Sequence, residues 1–126
     1  MTTRAPFMLA GSVLALALIA ISAVVPATAA QLSFDLKVER GRVAEDMRLI
    51  RVKQGDVVTL RWTSDQPIVL HLHGYDIEKR VAPGPATEMT FTAYATGRFP
   101  IHVHAQGAGG RAHEEAPLVN VEVYPR

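Results

Sequence analysis

The stretch IRVKQGDVVTLRWTSDQPIVLHLHGYD, Ile50 to Asp76, decides the fold. Its apolar residues recur at every second position, in runs too short for helices. Ile50 and Val52 alternate with Arg51 and Lys53, and Gln54-Gly55-Asp56 is a turn signal. In a second run Val58, Leu60 and Trp62 share one face. TSDQP, Thr63 to Pro67, reads as a loop, and a third run from Ile68 to His73 sets Ile68, Leu70 and Leu72 against His71 and His73. A period of two is that of a pleated strand with one buried face.

The same alternation continues in both directions. Upstream, LSFDLKVE puts Leu32, Phe34, Leu36 and Val38 on one side. Downstream, VAPGPA is a turn, TEMTFTAYA alternates Met89, Phe91 and Ala93, Thr96-Gly97 turns into RFPIHVH, and PLVNVEVYP follows. About seven short strands separated by Gly/Pro turns predict an all-β, antiparallel sandwich. A weak turn around Ala44 to Met47 is the one helical signal beyond residue 30. AQGAGGRAHEEA, Ala105 to Ala116, is Gly-rich and polar and reads as a loop at one end of the sandwich.

Residues 1–30 read as a signal peptide. Arg4 gives a positive start, an apolar run extends from Phe7 to Val25, Pro26 breaks it, and Ala27-Thr28-Ala29 supplies the small residues of a cleavage site. Cleavage after Ala29 or Ala30 is expected; the length of the apolar run leaves an uncleaved anchor open. Residues 31–126 then form one domain. Arg4 is the only charged residue of the first thirty, so the domain carries 12 basic residues against 12 acidic ones. A neutral domain without a basic stripe has little to offer a phosphate backbone, which argues against nucleic acid. The chain contains no cysteine. Its stability must therefore come from its core or a bound metal, and any metal site must be built from imidazole, carboxylate and carbonyl donors.

All five histidines lie between His71 and His113. Residues i and i+2 of a strand project to one face about 6.6 Å apart. His71 and His73 therefore project together, opposite Leu70 and Leu72, and His102 and His104 project together, opposite Phe99, Ile101 and Val103. Were the two strands neighbours, about 4.8 Å apart, four imidazoles would cluster. Neutral imidazoles suit Cu(II), Zn(II) or Ni(II), with copper favoured by its higher affinity for nitrogen donors. His113, from the Gly-rich loop, is a candidate fifth ligand, although beside Glu114 and Glu115 it also fits a solvated charge run. Asp76 and Glu88 are candidate acceptors that would fix an imidazole tautomer, although ordinary surface carboxylates are the better reading of both. Trp62 and Tyr75 read as core.

The segments IRVKQGDVVTLRWTSDQPIVLHLHGYD, VAPGPATEMTFTAYATGRFPIHVH and APLVNVEVYP together resemble the cupredoxin-like domain, over nearly all of residues 31–126. The resemblance implies a Greek-key β-sandwich. It also implies that His71 or His73 is the ligand of the middle strand. His102 or His104 falls near the position where blue copper proteins carry cysteine, and His113 in the following ligand loop. Without a thiolate, and with Met47 and Met89 both in earlier segments, a type 1 blue copper centre cannot form. The closer likeness is to exported bacterial cupredoxin-like proteins that lack that cysteine, and HLHG is similar to the HxH motifs of multicopper oxidases.

Three functions are compatible with these residues. The first is a periplasmic, non-enzymatic copper-binding protein for storage, delivery or tolerance. The second is a metal-free structural or interaction module with an envelope protein partner. The third is a small copper oxidoreductase assembled from several copies, for which no substrate pocket or electron entry site is legible. Oligomeric state, and whether one metal or two would bind, stay open.

Overall fold

The structure is a computed structural model, and it describes residues 1–3, 5–6, 11, 20–24, 28–105 and 116–126. Most of the apolar run from Phe7 to Val25, and His113 with the rest of 106–115, lie outside the described residues. No helix among the described residues is long and apolar enough to cross a membrane.

Among the described residues eight strands form two sheets. They are β1 (Gln31–Val38), β2 (Leu49–Lys53), β3 (Val57–Ser64), β4 (Ile68–Leu72), β5 (Ile77–Val81), β6 (Thr87–Thr92), β7 (Gly97–Ala105) and β8 (Val119–Tyr124), with one turn of 3-10 helix at Glu45–Met47. The smaller sheet has the order β1-β3-β6 and the larger one the order β2-β8-β7-β4-β5. Alternation makes the core. Val58, Leu60, Trp62 and Met89 from the small sheet meet Ile68, Leu70, Leu72, Ile101 and Val121 from the large one, all essentially without solvent contact. Each such side chain contributes about 1.5–3 kcal/mol by leaving water, which is how a chain without disulfides holds together.

Two features differ from the expectation of seven antiparallel strands. Both sheets are mixed, because β1 runs parallel to β3 and β2 runs parallel to β8, while the other pairs are antiparallel. Alternation reports which face is buried and carries no information on strand direction. The eighth strand, β5, has the sequence IEKRV, whose three central residues are all exposed. Among the described residues it pairs only with β4, at the edge of the large sheet. Its charges hide the apolar period and also suit a strand whose free edge must not recruit another.

Candidate functional site

β4 and β7 are neighbours, antiparallel, with His71 directly opposite His102 and Val69 opposite His104. The adjacency on which a histidine cluster depends is therefore present. Leu70 and Leu72 point into the core and leave the imidazoles on the outer face of the large sheet, each half-buried. His73 lies one residue beyond β4, and its N–H donates to Pro100 O (3.0 Å), which prolongs the β4–β7 ladder and keeps this ring in line with the others. The ring centroids of His71 and His73 are 4.1 Å apart and tilted by 41°, and those of His73 and His102 are 5.0 Å apart, edge to face. His104 stands two residues further along β7, toward the Gly-rich loop.

The rings of His71, His73 and His102 pack against one another rather than converging their nitrogens. Among the described residues no group of three or more histidines or carboxylates is arranged to hold a metal ion. Asp76, fully exposed in the turn after His73, brings Oδ1 to 3.6 Å from His71 Nε2, which is beyond a good hydrogen bond. Glu88 is not near the histidines: it belongs to β6 in the other sheet, where it faces Arg61 at 3.6 Å. Sequence reading passed over Glu78, which sits opposite His71 across the β4–β5 pair. Treating HGYD as a hairpin turn would have found it, since the hairpin register follows from the turn.

That turn is held from below. Gly74 adopts φ +85° and Asp76 φ +54°, both left-handed. Tyr75 packs its ring on Phe91, Tyr94 and Phe99, with centroids 4.8–4.9 Å away, and its hydroxyl donates to Ala95 O (3.1 Å). Burial pushes the Tyr75 phenol up from its ordinary value. Tyr75 thus anchors the turn, and Trp62 is fully buried in the core, as expected of both.

Across the same outer face, Glu122 on β8 accepts hydrogen bonds from Tyr124 Oη (2.6 Å), from Arg98 and from Arg51 Nε (3.3 Å). These donors hold its carboxyl at about 2, Tyr124 contributing most. This carboxylate is fully engaged in pinning β2, β8 and β7 together and is not a spare metal ligand.

The two-sheet topology is that of a cupredoxin-like fold, and solved structures agree. The chain is similar to the multicopper oxidase mgLAC (21% identity, TM-score 0.54), over 77% of this chain and 40% of that one. It is also similar to a multicopper oxidase from Pseudomonas thermotolerans (20% identity, TM-score 0.58), over 79% of this chain and 31% of that one. A third likeness is to a chain of a heme-copper terminal oxidase dimer (17% identity, TM-score 0.54), over 84% and 76% respectively. The chain spans less than half the length of either multicopper oxidase, and at these identities the shared property is the fold. No family model and no curated protein matches the chain.

Proposed function

We propose that this is an exported copper-binding protein of the cell envelope, periplasmic in a Gram-negative cell, which holds Cu(II) through histidines for storage, delivery or tolerance. The observation that carries the reading is the register that sets His71 against His102 on adjacent strands, with His73 in ring contact with both. His71, His73 and His102 would form the core of the ligand set, with His104 and the loop residue His113 completing it. Binding requires the packed rings to turn about their side-chain torsions so that their nitrogens converge. The metal would supply the enthalpy for that rearrangement and would draw the two strands' side chains into one unit. Its chemistry would be that of a nitrogen-ligated type 2 ion, since the chain has no thiolate. Resemblance of the fold to copper oxidases supports copper over zinc, as does the order of affinities for nitrogen donors.

A second reading, a metal-free interaction module with an envelope protein partner, is favoured by the ring-to-ring packing of the histidines and by the lack of a converged group among the described residues. Titration of the processed, untagged protein with Cu(II) and Zn(II), with elemental analysis and EPR of the copper form, separates the two. Stoichiometric binding with a nitrogen-rich type 2 spectrum supports the copper reading. Binding no tighter than that of an isolated surface histidine pair supports the interaction module.

A further inference from the structure

The segment leading into β1 is fastened at one residue. Ala30 N–H donates to Asp56 Oδ1 (3.0 Å), and Val57 N–H donates to Ala30 O (2.9 Å), so Ala30 extends the parallel β1–β3 pairing by one rung. The Asp56 carboxylate is buried in the turn between β2 and β3. It also accepts Lys53 N–H (2.9 Å) and an ion pair from Arg126. Arg126 in turn donates to Gln54 O (2.9 Å) and Thr28 O (3.2 Å). Thr28, Ala29 and Ala30 are themselves exposed.

We infer that the chain is processed between Ala29 and Ala30 and that the new α-ammonium of Ala30 is held as an ion pair by Asp56. This rests on the reading of residues 1–30 as a cleaved signal peptide. The small residues there offer two cleavage registers, Ala27-Thr28-Ala29 and Thr28-Ala29-Ala30, and sequence does not separate them. The fold does. A cut after Ala30 removes both of its hydrogen bonds, leaving Val57 N–H without its acceptor and a buried carboxylate short of one donor. Leaving such a group unsatisfied is costly. A cut after Ala29 keeps both bonds and converts a neutral amide donor into a charged one facing a carboxylate, roughly doubling the strength of that contact. The Arg126 contact with Thr28 is lost in either register. The two registers are therefore separated by their folded products: one is accommodated complete and the other is left short of two hydrogen bonds.

Export of the full 126-residue chain, followed by intact-mass measurement and N-terminal sequencing, tests the position. The expected start is Ala-Gln-Leu-Ser, at Ala30. A start at Gln31, or at Ala29 or earlier within the cleavage region, overturns the inference. Retention of the whole apolar run overturns the signal-peptide reading itself, and the inference with it. The ion pair has its own readout in the pH dependence of α-amine methylation, compared between the processed wild type and Asp56→Asn. Three charged groups face the amine: Asp56, which raises its pKa, and Arg126 and Lys53, which lower it. Asparagine keeps one acceptor oxygen while removing the negative charge, so the α-amine pKa should fall by about one unit or more, with circular dichroism confirming that the variant is folded. An unchanged value would overturn the ion pair and leave Asp56 as a turn-capping carboxylate only.

Discussion

Replacing Gly74 by alanine tests the turn that sets His73 beside His71. Gly74 has φ +85°, and an added Cβ would lie 2.8 Å from Phe99 Cε1 and closer still to Cδ1. The left-handed backbone alone costs about 1–2 kcal/mol for a residue with a Cβ. Carbon atoms pack at about 3.5–4.0 Å, so the Phe99 ring must also move. It is wedged against Tyr75, and such overpacking costs about 1–3 kcal/mol more. The sum is about 2–5 kcal/mol, which for a domain of this size is a fall in Tm of about 10 °C or more. Gly41→Ala is the matched control: its φ is +74°, yet nothing lies within 4 Å of the added Cβ. It should lose only the backbone part. Thermal melting of both variants therefore isolates the clash. Adding Phe99→Leu to Gly74→Ala should recover part of the loss, because the smaller side chain makes room, and the two substitutions should couple by about 1 kcal/mol or more. If Gly74→Ala melts within about 2 °C of Gly41→Ala, corresponding to a difference of well under 1 kcal/mol, the claim that Phe99 braces this turn is wrong.

Other outcomes follow from the same structure. Glu122 has its carboxyl held at about 2 against an ordinary value of 4.5. Its stabilising contribution is thus complete above the unfolded value and is lost as pH falls from there through about 2. Acid titration of Glu122→Gln, followed by circular dichroism, should show a shallower loss of stability over that interval than the wild type. Leu70→Ala, in the core beneath His71, should cost about 2–5 kcal/mol in urea unfolding. For the metal, His71→Ala and His102→Ala should each weaken Cu(II) binding at least tenfold by competitive titration, whereas Glu88→Ala, on the other sheet, should leave it unchanged. Bound Cu(II) should be released as pH falls through about 6.5, the ordinary histidine value; copper retained at pH 4.5 in an ultrafiltration assay would argue against imidazole ligation.

The sandwich was legible wherever a strand buries one face. Val58, Leu60 and Trp62, or Met89 and Phe91, announce their strands because water is excluded from every second residue. β5 was not, because an edge strand with Glu78, Lys79 and Arg80 exposed has no such constraint to display. Strand direction was equally hidden: the parallel partners Leu36 and Trp62 would show the same apolar period in an antiparallel pair. At the site, the i, i+2 spacing placed His71 and His73 on one face correctly, and the β4–β7 pairing brought His102 to them. The arrangement of the rings was beyond sequence, since torsions of half-buried side chains answer to local packing and not to the order of residues. Asp76 was found near His71 and Glu88 was not, for a simple reason: proximity along the chain survives folding in a tight turn, whereas residues 17 positions apart had no geometric tie.

The position of β8 in the large sheet has a kinetic consequence. It lies between β2 and β7, so the last of the described strands is an interior member of the sheet rather than an edge. Until residues 119–124 are available, β2 has no partner in its sheet and the core cannot close over Ile50 and Val52. Productive folding must therefore wait until residue 124 is available, and such non-local pairing is slow. For a cytosolic protein that delay is a hazard, since unpaired strands aggregate. If the chain is exported as proposed, threaded through a membrane as an extended polymer, the same delay would be an advantage: it would stay open during passage and close only on the far side.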